Sequence, residues 1–285
     1  KFFLIICFFF QSLLAEELNI NANIIEIDKE NKKIRAEGNV EVTDTKNNLI
    51  NSKKIIYDKA NQLLNTFGET EIITSEKFKI KGENINYDNI KRVVSSNEKT
   101  EITDINGNTI FLNMFNYIVD KNMFFSTGEI KVVDSRNNEY FFSEIYIDEK
   151  KRKIVGSDVK AFLNDDSFKY KPENEPRFFA NSASISEDYT VFNKAVFTVC
   201  AKRENDKCPP WMIRAKEIKH SSPKKTIYYE DAVLKIYDFP IFFFPKFFHP
   251  DPTVDRQSGF LAPVIKNSSN FGQSFQIPYY KVISD

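Results

Sequence analysis

Several things are scarce in this chain of 285 residues. It has two histidines and three cysteines, which leaves little material for a metal centre or for a cysteine nucleophile with partners. Lysine plus arginine, at 40, equals aspartate plus glutamate, at 40. That balance lacks the clustered basic excess of a nucleic-acid footprint and of a purely electrostatic membrane-surface binder. Glycine is rare, at 8, and no proline occurs before Pro172 although the chain has 11. Proline deletes a ladder donor, so its absence marks the first half as uninterrupted strand ladder, and the shift near residue 165 marks a change of regime. Helical spacing of apolar residues is sustained nowhere in the first half.

What is present favours β structure. There are 28 Phe and 12 Tyr, with Ile, Val and Thr in short runs between Asn, Asp and Lys. Hydrophobic residues make up 41% and charged residues 28%, the balance of a foldable chain.

At the N-terminus, Lys1 precedes nine apolar residues, Phe2 to Phe10, and then Gln11-Ser12-Leu13-Leu14-Ala15-Glu16-Glu17. A basic start, a short apolar stretch and a small residue before an acidic boundary read as a signal peptide, residues 1–15, cleaved after Ala15. The run is shorter than the ~20 residues a spanning helix needs. Export leaves Cys200 and Cys208 as an even pair around a polar loop, spacing that suits a disulfide in an oxidising compartment.

The first half repeats with a period of 30. Gly38-Asn39-Val40-Glu41-Val42-Thr43 returns as Gly68-Glu69-Thr70-Glu71-Ile72-Ile73, as Glu98-Lys99-Thr100-Glu101-Ile102-Thr103 and as Gly128-Glu129-Ile130-Lys131-Val132-Val133. Two more columns keep that frame: Ile55, Ile85, Phe115 and Ile145, followed two positions later by Tyr57, Tyr87, Tyr117 and Ile147. A third is Ile34, Leu64, Val94, Phe124 and Ile154. Residues two apart on a strand share a face. Polar tracts such as Thr45-Lys46-Asn47-Asn48 and Asp104-Ile105-Asn106-Gly107-Asn108 supply turns. The reading is an all-β solenoid or elongated β-roll with a continuous apolar interior. Glu41, Glu71, Glu101 and Lys131 form a period-matched charged column, read as a solvated outer face and not as a clustered carboxylate site.

The specific block begins at Cys208. Cys208-Pro209-Pro210-Trp211-Met212-Ile213-Arg214-Ala215 leads to Ile227-Tyr228-Tyr229-Glu230-Asp231-Ala232. Pro240-Ile241-Phe242-Phe243-Phe244-Pro245-Lys246-Phe247-Phe248-His249-Pro250-Asp251-Pro252 and Arg256-Gln257-Ser258-Gly259-Phe260-Leu261-Ala262-Pro263 complete it. This closely resembles the LPS-assembly outer-membrane protein family, LptD, also called the organic solvent tolerance (OstA) family. The upstream roll looks like the OstA-type domain that the family shares with LptA and LptC.

The resemblance implies a period-30 periplasmic β-jellyroll over residues 16–240, then a junction and the first strands of an outer-membrane β-barrel over 241–285. Residues 258–285 supply about two strands, whereas such barrels need at least eight. It implies a non-enzymatic transporter without cofactors. Its partners would be lipopolysaccharide, an LptA-like bridge protein at the N-terminal edge and an LptE-like lipoprotein in the full barrel. The alternatives are a soluble periplasmic bridge protein and a secreted β-helix enzyme acting on polysaccharide. Candidate lipid-binding residues are the two columns, Ile55, Ile85, Phe115, Ile145 and Tyr57, Tyr87, Tyr117, Ile147, with the inward face left open. Pro263 and Pro278 interrupt strand-like runs, and the resemblance assigns them to a loosened lateral gate; turns at the periplasmic rim are the alternative. His249 beside Pro250 has no evident ligand partners, which argues against a metal.

Overall fold

The computed structural model describes residues 18–44, 47–75, 77–135, 137–148, 150–162, 175–186, 188–200, 211–250, 258–260, 264–268 and 272–283. Strands dominate them, in antiparallel pairs throughout. The first unit comprises β1 (Asn19–Asn21), β2 (Ile24–Asp28), β3 (Lys33–Thr43) and β4 (Leu49–Asp58). Then follow β5 (Leu63–Ile73), β6 (Lys79–Glu83), β7 (Asn86–Asp88), β8 (Val93–Ser96), β9 (Thr100–Thr103), β10 (Thr109–Leu112) and β11 (Phe115–Ile118). Long strands resume with β12 (Met123–Val133), β13 (Glu139–Asp148), β14 (Lys153–Phe162), β15 (Glu175–Ile185) and β16 (Tyr189–Cys200). They continue with β17 (Trp211–Ser221), β18 (Thr226–Ile236) and β19 (Phe239–Pro250).

Each long strand creases near its middle. The β3–β4 register slips between Glu37 and Val40, and the β12–β13 register between Thr127 and Ile130. Gly38, Gly68 and Gly128, the residues that open the sequence repeat, sit at these creases with φ of 75°, 75° and 101°. A bulge residue with φ > 0 is where glycine fits without a Cβ penalty. Later creases carry Asp158, Lys194 and Asp231 at φ near 50°. The crease divides every long strand between two layers. The front layer holds β1 and the halves around Val40–Thr43, Leu49–Ser52 and Glu69–Ile73; the back layer holds β2 and the halves around Lys33–Glu37, Lys54–Asp58 and Leu63–Phe67.

The third unit departs from the uninterrupted ladder expected of a proline-free segment. Here the halves separate outright: β6, β9 and β10 pair in the front layer, while β7, β8 and β11 pair in the back. The layers rejoin at β5 and β12, which closes a ring of strands. Hydroxyls replace the lost ladder bonds. The Ile85 amide donates to Thr66 Oγ1 at 2.9 Å, Ser96 Oγ donates to the Glu83 carbonyl at 2.8 Å and Ser126 Oγ to that of Met114 at 2.7 Å. Buried backbone groups need such partners.

Hairpin turns line the two rims in columns of their own. At the back rim, Asp28, Asp58, Asp88 and Asp148 accept the amide three residues on, from Asn31, Asn61, Lys91 and Lys151, at 2.9–3.0 Å. Lys32, Gln62, Arg92, Asn122 and Arg152 then take φ of 47–56°. Ile118 occupies the aspartate position of the fourth turn, which forms a 3-10 turn (Val119–Lys121) instead. At the front rim, Asp44, Asp104 and Asp134 accept the amides of Asn48, Asn108 and Asn138 at 2.8–2.9 Å.

Candidate functional site

Alternation along each half-strand turns one apolar column inward. In the back layer Ile55, Ile85, Phe115 and Ile145 are 0%, 2%, 1% and 2% exposed, immediately beside the crease. Tyr57, Tyr87, Tyr117 and Ile147, two residues nearer the rim, share that face and are half-buried. Both columns therefore point inward, which answers the question the spacing left open. Facing them from the front layer are Val40, Val42, Ile72 and Ile130, all buried, with Ile50, Ile80, Ile102 and Ile110 half-buried towards the other rim. Exposure thus rises from crease to rim on both walls, the profile of a cleft closed along one side.

The interior continues along the array. Ala180, Ala183, Ala195, Ala215, Ile218 and Ala232 carry the buried core, flanked by Phe178, Phe192, Phe244 and Phe247. At the far end Tyr229 stacks on Phe247 with centroids 4.3 Å apart, and its hydroxyl lies 2.9 Å from His249 Nε2. His249 Nδ1 is 2.7 Å from the Pro250 carbonyl. The histidine is thus engaged in this aromatic wall.

Two features escaped the sequence reading. A column of small residues, Ala36, Thr66, Ser96, Ser126 and Gly156, runs along the back side of the crease at the same period of 30 and is buried. Small side chains there let the layers meet, and their hydroxyls serve the crease backbone. The second feature is a polar lip. Arg92 Nη1 donates to the Tyr87 hydroxyl and to Asn89 Oδ1 at 2.9 Å, with its guanidinium 5.9 Å from the Tyr87 ring. Its Nε donates to Asp120 Oδ1 at 3.3 Å. Nothing short of tertiary contact signalled the arginine's reach. Burial pushes the Tyr57 phenol above its ordinary value, so it is neutral at physiological pH.

A concavity of about 1650 Å³ runs along the front layer beside the crease, and its lining includes Val40 and Ile130 of the apolar wall. Glu41, Glu71, Glu101 and Lys131 line it, and Glu71 and Lys131 pair with Lys79 and Glu139 at 2.7 Å. Charged side chains share its lining with the rings of Phe111, Phe141 and Phe162, and Lys131 Nζ lies 5.7 Å from the Phe141 ring centroid, so this surface is mixed where the inter-layer walls are apolar.

The Phe-rich run forms β19, an edge strand paired with β18. Phe244 and Phe247 pack inward, whereas Phe239, Ile241, Phe243 and Phe248 are exposed. The opposite edge is β2, with Ile24, Ile25 and Ile27 exposed. Beyond β19, β20 (Gly259–Phe260) pairs with β23 (Tyr279–Tyr280), and β21 (Val264–Ser268) with β22 (Gly272–Gln276). Pro278 is half-buried and lies outside the strands, where these two ladders part. Pro263, Cys208 and the signal-peptide residues lie outside the described residues, as does the Cys200 side chain.

Fold and site together define an all-β roll, two layers creased over facing apolar walls. The chain is 31% identical over 134 residues to the LPS-assembly protein LptD of Mannheimia succiniciproducens, covering 45% of this chain and 16% of that protein. It is 33% identical over 93 residues to LptD of Yersinia pestis (32% and 11%) and 32% identical over 95 residues to LptD of Legionella pneumophila (33% and 11%). The matched stretch spans about a sixth or less of the length of these curated relatives. No protein-family model matches the chain. Among solved structures, LptH of Pseudomonas aeruginosa, the LptA homologous periplasmic component of the lipopolysaccharide transport device, aligns at 14% identity with a TM-score of 0.24, covering 50% of this chain and 82% of that one.

Proposed function

We propose that this chain takes part in lipopolysaccharide transport and assembly at the outer membrane, its cleft holding the acyl chains while the sugar head stays in water. The single observation that carries this reading is the pair of facing apolar walls, built from period-30 columns that are buried at the crease and half-buried towards the rims. The likeness to LptD proteins over part of the chain supports it. Burying one CH₂ is worth ~0.8 kcal/mol, so one long acyl chain left in water costs roughly 10 kcal/mol. A lipid with several such chains needs shielding, and an apolar slot provides it without making or breaking a bond.

In this reading residues 1–15 are a signal peptide, residues 16–240 the periplasmic roll, and 241–285 the junction and first barrel strands. Cys200 and Cys208 form a disulfide. The exposed isoleucines of the β2 edge support docking of an LptA-like roll by strand addition. At the other end the exposed aromatics of β19 suit a membrane-proximal junction, with an LptE-like lipoprotein in the complete barrel. Pro263 and Pro278 loosen the seam through which lipid leaves sideways.

The test is site-specific photocrosslinking in cells. A benzophenone side chain at Tyr57, Tyr87 or Tyr117 should capture lipopolysaccharide, while one at Glu41, Glu71 or Glu101 should not. Equal capture on both faces would overturn the assignment of the cleft.

A further inference from the structure

The two rims differ in charge although the chain as a whole is neutral. In the first five back-rim turns (residues 28–33, 58–63, 88–93, 118–123 and 148–153) eleven Lys or Arg face seven Asp or Glu. The front-rim turns (44–48, 74–78, 104–108 and 134–138) have three against four. Four of the back-rim acids, Asp28, Asp58, Asp88 and Asp148, turn inward on backbone amides of their own hairpins. Their carboxylates close the turns, and three of them also pair with rim lysines at an exposed surface, Asp58 with Lys33 at 3.8 Å, Asp88 with Lys91 at 3.1 Å and Asp148 with Lys151 at 3.0 Å, so the basic excess lies along the lip.

The back-rim turns follow one another every second strand, about 10 Å apart at ordinary strand spacing. This places a basic residue at each step beside the half-buried column Tyr57, Tyr87, Tyr117. Arg92 is the fixed member of the series. Its side chain is only 20% exposed, held by Tyr87, Asn89 and Asp120 at the edge of the apolar wall. Lys91 lies next to it, bridged to Asp88 at 3.1 Å, and Lys121 occupies the following turn. Both ion pairs, Lys91–Asp88 and Arg92–Asp120, have one strongly exposed partner. Such pairs are weak and readily exchanged for a better anion. A guanidinium favours phosphate and carboxylate through paired donors.

We propose that the back rim is an anion rail, on which Arg92 with Lys91 and Lys121 holds the phosphorylated headgroup of the amphiphile whose chains lie on Tyr57, Tyr87 and Tyr117. The rail fixes which way round the lipid sits, head to the back rim and tails to the crease. Adjacent cationic turns let the head pass from one step to the next while the tails stay covered. This inference rests on the acyl-chain reading of the cleft and adds the recognition of the head.

The experiment compares binding of two probes by the full-length protein in detergent: phosphorylated lipid A, and the same lipid A stripped of its phosphates. The wild type should prefer the phosphorylated form about tenfold, the scale of one charge-assisted contact. That preference should shrink as salt rises from about 0.05 to 0.5 M. The combined variant Lys91→Gln, Arg92→Asn, Lys121→Gln should lose the preference, its affinity for the phosphorylated lipid falling to that for the stripped one. Asparagine is chosen at 92 because it tolerates the positive φ of that position. Arg92→Lys should restore part of the preference, and Lys77→Gln on the front rim should leave it intact. Equal wild-type affinity for the two lipids, or a preference that survives the triple change, overturns the rail while leaving the cleft standing. Failure of the wild type to bind either lipid refutes the cleft reading itself.

Discussion

Adding one methyl at Gly156 probes the crease most directly. Gly156 lies in β14, paired with Ile145 on one side and Ala183 on the other, and its backbone φ is ordinary, so the substitution to alanine adds no dihedral strain. Space is the issue. A Cβ at this position would lie 2.8 Å from Cε1 of Phe142, closer still to Cδ1, and 3.3 Å from the Glu144 carbonyl oxygen. Phe142 is 7% exposed and packed in the core, so the ring must retreat by about 1 Å or leave its rotamer. Overpacking of this kind costs ~1–3 kcal/mol, and the lower backbone entropy of alanine returns ~0.5 kcal/mol or more. The net expectation is a loss of ~1–2 kcal/mol, read as a fall in Tm of about 2–8 °C at ~2–4 °C per kcal/mol. Far-UV circular dichroism on heating gives the shift. Phe142→Leu should relieve the clash, so that Gly156→Ala/Phe142→Leu is less destabilised than the sum of the two single changes. A Gly156→Ala protein as stable as wild type, or strict additivity in the cycle, would refute the claim that small residues set the crease.

Three further outcomes follow from other contacts. Thr66→Val should cost ~1–3 kcal/mol in urea unfolding, because it strands the buried Ile85 amide, and Thr66→Ser should recover most of it; unaltered amide exchange at Ile85 in the valine variant would count against the hydroxyl's role. The carboxyls of Asp28, Asp58 and Asp88 are held below their ordinary value, chiefly by backbone amides, and that of Asp148 chiefly by Lys151. A depressed pKa adds stability above the unfolded value near 4, which is lost as pH falls through the folded one, so Tm should drop on acidification below about pH 4 and the drop should be shallower in Asp58→Ala. Finally, a proline at Ile24 or Ile25 should weaken capture of an LptA-like roll while the circular dichroism spectrum stays all-β; wild-type capture by such variants would remove edge docking.

Much of this protein was legible before any coordinates. A period of 30 with residues two apart in Ile55/Tyr57 and Ile85/Tyr87 requires those columns to share a face, because side-chain direction on a strand is set by parity alone. Glycines recurring at 38, 68 and 128 belonged to that repeat, but only the structure showed that they sit at the creases, with φ > 0. The charged column expected to be solvated is only partly so: Glu41 is exposed, whereas Glu71 and Glu101 are half-buried in a concavity they share with Phe111. What parity cannot say is which face meets another face. That Ile55 and Phe115 lie across from Val40 and Ile130 depends on the crease folding one strand into two layers, a contact between residues that no local propensity encodes. The splitting of the third unit into separate half-strands likewise depends on hydroxyls at Thr66, Ser96 and Ser126 finding backbone groups more than ten residues away. The same holds for Arg92: the sequence placed a cation in a turn, and only the curl of that turn over the back layer set its guanidinium against the phenol of Tyr87 at the mouth of the cleft.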